Sequence, residues 1–175
     1  MRLLPAFLVL LAGCASTPAL TRGTDQTVVS GGGGTLGRSG AEPAPQDSLP
    51  IGPELALRAL MRAYESMDIA VTLVDPKKMQ IGNPALVVRR TLGGSPLSRF
   101  VNCGSGMTGL HADTDRIYLS VISAATATPA GSLVETRVQA ESQDITAGAS
   151  ADRVPCETTG ALELQLHRRA GGKSR

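Results

Sequence analysis

From Pro53 the apolar residues recur at helical spacing. Leu57, Leu60, Met61, Tyr64 and Met67 stand three or four residues apart, and Arg58, Arg62 and Glu65 fill the opposite face. Pro53 suits a first helical position. Glu54 complements the positive end of the helix dipole and forms an i,i+4 pair with Arg58. The pattern predicts a helix over 54–67 whose stripe faces a core. At Ile69 the period falls to two. Ile69, Val71 and Leu73 alternate with Ala70, Thr72 and Val74, and Asp75-Pro76-Lys77-Lys78 carries the residues of a turn. Met79 and Ile81 begin a return strand that Gly82-Asn83-Pro84 is expected to end. A third strand is expected over 86–92, carrying Arg89 and Arg90 and closed by Gly93-Gly94-Ser95-Pro96. Residues 97–103 read as a strand or a packed loop, and 104–115 as a polar, glycine-rich loop.

The clearest pair follows. Ile117, Leu119, Val121 and Ser123 alternate with Tyr118, Ser120 and Ile122. After Thr128-Pro129-Ala130-Gly131-Ser132, Val134, Thr136, Val138 and Ala140 share one side. This predicts a hairpin with one packed and one wet face. Residues 143–155 read as a loop. Leu162, Leu164 and Leu166 alternate with Glu163, Gln165 and His167, which predicts a last strand with His167 toward water. One N-terminal amphipathic helix followed by about five strands implies an α+β fold, the helix packed on an antiparallel sheet.

Ahead of this domain the composition changes. Residues 15 to about 50 hold Gly31-Gly32-Gly33-Gly34, Gly37, Gly40, Pro43, Pro45 and Pro50, with few apolar residues and no sustained period. That is the composition of a flexible tether, with ends roughly 30–36 Å apart as a random coil. The glycine run is no phosphate loop, because no Gly-Lys-Ser/Thr follows it.

At the very start, Met1 and Arg2 precede an apolar run, Leu3 to Ala12, that ends in Leu11-Ala12-Gly13-Cys14. As a helix this run would rise roughly 15 Å, about half of a hydrocarbon core of roughly 30 Å. The pattern is that of a signal segment, and Leu11-Ala12-Gly13-Cys14 resembles the lipobox of bacterial lipoproteins. The resemblance implies cleavage before Cys14, a lipidated thiol and an acylated new N-terminus. It also implies a periplasm-facing position in the cell envelope. Within that resemblance, Ala15 after the cysteine implies the outer rather than the inner membrane. An ordinary signal peptide with a cysteine near its cut is the alternative. The organisation expected is a signal peptide over 1–13, a lipid-anchored linker over 14–52, a single domain over 53–169 and a basic tail over 170–175.

The chain has 17 basic and 15 acidic side chains, for a formal net charge of +2. That near-balance provides no field for nucleic acid. Aromatic residues make up 2 % and there is no Trp, so a surface for stacking sugars or bases is not expected. The core must be built of Leu, Val, Ile, Ala and Met. With Cys14 lipidated, Cys103 and Cys156 remain, and in an oxidising envelope they read as a disulfide pair. Two separately buried thiols are the alternative.

Chemistry is sparse. If His111-Ala112-Asp113-Thr114-Asp115 were extended, His111, Asp113 and Asp115 would share one side and could hold a divalent ion; a polar loop with turn-capping aspartates is the plainer reading. Ser105, in Cys103-Gly104-Ser105-Gly106-Met107, departs from G-x-S-x-G at both ends. Cys156-Glu157-Thr158-Thr159-Gly160-Ala161-Leu162-Glu163, taken with Cys103-Gly104, resembles a set of small bacterial envelope lipoproteins of unknown function over roughly residues 54–167. The order of elements is also similar to the globular domains of an accessory lipoprotein of the outer-membrane barrel-assembly machine. Together these features predict a non-catalytic, membrane-anchored scaffold or accessory to an envelope protein, with no catalytic residue and no cofactor. A carrier of a lipid or other apolar ligand and a metal-assisted hydrolase are the alternatives.

Overall fold

A computed structural model describes residues 46–146 and 152–172. The elements run β1 (Gln46–Leu49), α1 (Pro53–Glu65), β2 (Leu73–Asp75), β3 (Gln80–Val88), β4 (Thr91–Leu92), β5 (Ser95–Pro96), a 3₁₀ turn (Leu97–Arg99) and β6 (Val101–Asn102). There follow β7 (Ser105–Gly106), β8 (Gly109–Leu110), a single helical turn α2 (His111–Thr114), β9 (Arg116–Thr128), β10 (Gly131–Gln143), β11 (Val154–Thr158) and α3 (Ala161–Arg169). Seven strands form one sheet in the order β2-β3-β9-β10-β11-β6, and β1 also pairs with β10. Every pair in it is antiparallel. The fold is α+β, with α1 and α3 packed on the sheet.

The sheet is built on the hairpin. Strands β9 and β10 are thirteen residues each and pair from Arg116↔Gln143 to Thr128↔Gly131. Their alternation places Ile117, Leu119, Val121, Ser123 and Ala125 beside Val134, Thr136 and Ala140 on the helix side, all buried. Helix α1 lays Ala56, Ala59, Leu60, Ala63 and Tyr64 against that surface. Small residues at three of these five positions let the helix backbone approach the sheet closely. The helix opens with Pro53 at its first turn and ends at Ser66, whose hydroxyl donates to Ala63 O. Arg169 of α3 reaches across and donates to Ser66 O at 2.9 Å, supplying a cation to a helix C-terminus.

The expectations for residues 82–84, 162–167, 46–49 and 170 are corrected, and the open reading of 97–103 is resolved. Gly82-Asn83-Pro84 does not end a strand; β3 runs through it. Asn83 pairs with Val121 and Leu86 with Leu119, so two residues of β3 oppose the single Ser120 of β9, a bulge. Asn83 carries the chain through it: its amide donates to Ala70 O at 2.8 Å and its Oδ1 accepts Ala85 N at 2.9 Å. Residues 97–103 form a 3₁₀ turn and then two residues of strand. Leu162–Leu166 belong to the helix α3, not a strand, and His167 is 2 % exposed rather than turned to water. Finally, Gln46–Leu49, expected within the linker, pair with Glu135–Ser132 of β10, and Ala170, expected in the tail, is buried. The expected signal peptide and most of the tether lie outside the described residues.

Cys103 and Cys156 form a disulfide. It extends the pairing of β6 with β11, where Asn102 faces Glu157. The bridge thereby fastens the short β6 edge and the loop after it to the sheet. Closing 53 residues of chain separation contributes about 4 kcal/mol in the chain-entropy model.

Candidate functional site

Polar side chains gather in three places. The first is inside the core. Ser123 and Thr136 are cross-strand partners on the buried face of β9 and β10, and their hydroxyls lie 2.7 Å apart. Tyr64 of α1 bonds Ser123 at 2.9 Å, and His167 Nε2 of α3 meets Thr136 Oγ1 at 3.0 Å. One chain of hydrogen bonds thus ties both helices to the two central strands. Burial pushes the Tyr64 phenol up and the His167 imidazole down, Asp47 acting against the latter shift. A hydroxyl beside an imidazole has the makings of a nucleophile and base. Here all four groups are almost wholly buried, so no substrate has an approach to them. Glu163, one turn before His167, is also buried; its Oε2 has no hydrogen-bond partner among the described residues, and burial raises its pKa.

The second gathering lies around α2. His111, Asp113 and Asp115 are not on an extended segment, so they do not share a side as alternation would have it. His111 Nδ1 lies 3.1 Å from Asp115 Oδ2, whose Oδ1 also accepts the Thr114 hydroxyl. Asp113 instead accepts Ser98 N at 2.9 Å and tethers the 3₁₀ turn. Among the described residues no group of three His, Cys, Asp or Glu side chains is placed to hold a metal ion. Ser105 sits on the exposed β7–β8 hairpin. The imidazole of His111 backs against Gly106, where a Cβ would stand 3.2 Å from its Nε2.

The third is the sheet face that no helix covers among the described residues. Pro84 and Ala85 at the bulge, with Val87, Tyr118, Ser120, Gln139, Glu141 and Arg153, line a groove of about 470 Å³. The Arg153 guanidinium lies 3.6 Å from the centre of the Tyr118 ring and 3.5 Å from the Glu141 carboxylate. Tyr118 donates to Gln143 at 2.8 Å. Arg116 beside the phenol, then Arg153, lower its pKa. Val87, the cross-strand partner of Tyr118 on β3, is 51 % exposed there. The groove is therefore on the side away from the helices, whereas the space between helices and sheet is occupied by Leu60, Tyr64, Leu119, Leu162 and Leu166.

The alternation of Leu162, Leu164 and Leu166 with Glu163 and His167 reads as a strand and hides the buried chain. Composition held the missing signal: Ala161-Leu162-Glu163-Leu164-Gln165-Leu166 has no β-branched residue and consists of strong helix formers. The lipidation candidate Cys14 lies outside the described residues. No protein-family model matches the chain, and no curated protein sequence matches it.

Proposed function

We propose that the protein is a non-catalytic, lipid-anchored lipoprotein of the cell envelope, periplasm-facing and held through Cys14. Its domain serves as a scaffold or accessory to a protein partner. The observation that carries this reading is the one-sided sheet. Among the described residues α1 and α3 cover one face, and the other offers a groove with an arginine-capped tyrosine and the exposed Val87. Tyrosine, arginine and aliphatic contacts of this kind are enriched where protein surfaces meet. The disulfide supports an oxidising compartment, as the lipobox resemblance implies. Among the described residues the hydroxyl–imidazole contact of Thr136 with His167 is shut away from solvent, which supports a non-catalytic role.

Two measurements test the reading. Mass spectrometry of the mature N-terminus should find an acylated, diacylglyceryl-modified Cys14; an unmodified chain still bearing Met1 removes the envelope assignment. Photo-crosslinkers placed at Val87 and Gln139 should trap the same protein in intact cells, and one at Arg58 on α1 should not. Tyr118→Ala should weaken both adducts. Failure of both bare-face positions to give an adduct removes the scaffold assignment.

A further inference from the structure

The buried hydrogen-bond chain has a direction. Each hydroxyl owns one proton, so Tyr64, Ser123 and Thr136 can each donate once. If neutral His167 keeps its proton on Nδ1, Tyr64 donates to Ser123, Ser123 to Thr136 and Thr136 to Nε2, and every hydroxyl proton is used. If Nε2 carries a proton, the chain must run backwards. The Tyr64 hydroxyl is then left without an acceptor among the described residues, inside a core where an unmet donor costs about 1–3 kcal/mol.

The turn bearing His167 is also a junction. Its carbonyl accepts Gly172 N at 2.8 Å, which folds the chain back past the end of α3. A Cβ on Gly172 would stand 2.8 Å from His167 O and 3.2 Å from Asp47 Oδ2 of β1. The C-terminal turn, the imidazole-bearing turn and β1 therefore meet at one point.

We infer that His167 is an acid-sensitive latch: protonation of its imidazole reverses the chain and releases α3 and β1 from the sheet. The groups around it are few. Asp47 on β1 favours the cation, and Glu163 shares the buried face of α3. Tyr64 comes from α1, and β9 and β10 present only the Ser123 and Thr136 hydroxyls. Arg168 and Arg169 follow on α3, both exposed, with Arg169 turned to Ser66. Burial outweighs Asp47, so the docked imidazole resists protonation while a released one takes a proton near its ordinary value of 6.5. A group whose docked pKa is depressed in this way supports the closed form fully above 6.5. That support is lost as pH falls below 6.5, by up to about tenfold in the open-to-closed ratio per pH unit.

Amide exchange of the full chain at pH 7.5, 6.5, 5.5 and 5.0, corrected for intrinsic rates, tests the latch. Protection over 46–49 and 161–172 should fall at least about tenfold between pH 6.5 and 5.0, with α1 and β9 holding theirs. His167→Gln, which keeps an acceptor but does not titrate, should abolish this pH dependence. Unchanged protection in the wild type, equal loss across the whole domain, or the same pH dependence in His167→Gln overturns the latch. The chain has two histidines, so His111→Gln isolates the His167 resonance should His167→Gln not fold. Titration below 6.5, coincident with the loss of protection, supports the proposal; titration at or above 6.5 overturns it.

Discussion

Single side chains in this core act through whether their polar atoms are met. Tyr64 fills the space between α1 and the sheet and supplies the first donor of the buried chain. Tyr64→Phe keeps the ring and removes that donor, while Ser123 retains Thr136 as a partner. The expected loss is about 1 kcal/mol, read by urea denaturation. Glu163 is the opposite case, a carboxylate with one oxygen unmet among the described residues. Burial raises its folded pKa above the ordinary 4.5. The protonated form is therefore the comfortable one in the native state, and its support is present below 4.5 and lost as pH rises through the folded value. Glu163→Gln should accordingly be more stable than the wild type at pH 7, with the gain narrowing as the pH approaches 4.5. Equal stability of the two proteins at both pH values would show that the carboxyl is satisfied in solution.

At the scale of elements, the bulge in β3 shows how one extra residue rewrites a pattern. Core positions fall at Ile81 and Asn83, then at Leu86 and Val88, so the parity changes within one strand. A reading by strict alternation must break the strand there, and Gly82-Asn83-Pro84 invites the break. The structure instead uses each residue. Gly82 passes so close to β9 that a Cβ would stand 2.2 Å from Val121 O. Asn83 replaces ladder bonds with its side chain, and Pro84 sits where the bulge requires no donor. Asn83→Ala should cost about 2 kcal/mol through two lost hydrogen bonds, and Gly82→Ala at least as much by forcing β3 from β9; thermal melting of both variants checks this. Helix α1 and the β9–β10 hairpin were legible because their buried faces are almost purely apolar or small. Helix α3 was not, because Glu163 and His167 occupy half of its buried face and leave Leu162, Leu164 and Leu166 to mimic a strand. Strand β1 was not legible either: four residues with one buried apolar side chain, Leu49, carry no period. Of the candidate residues, the cysteine pair was readable by counting. The His111–Asp115 contact came instead from a helical turn too short to announce itself.

For the whole molecule the disulfide is the main covalent restraint among the described residues. Cys103→Ser with Cys156→Ser removes about 4 kcal/mol by the chain-entropy model, and at roughly 3–6 °C per kcal/mol for a domain of this size the melting temperature should fall by about 12–24 °C. Calorimetry with and without reductant measures it, and an unchanged melting temperature would place the stability of the domain wholly in its core. The loss should begin at the edge, since β6 meets β11 through only two residue pairs and the α2 turn rests on the same end.

Strand β10 is a splint bearing two separate pieces on one side: β1 lies along Ser132–Glu135 and β11 along Ala140–Ser142. Only the second piece is riveted by sulfur. Tension entering through the chain before Gln46 therefore bypasses the rivet and falls first on four residue pairs. The domain has a mechanical fuse at its point of entry, and its hairpin can remain whole after that fuse has parted.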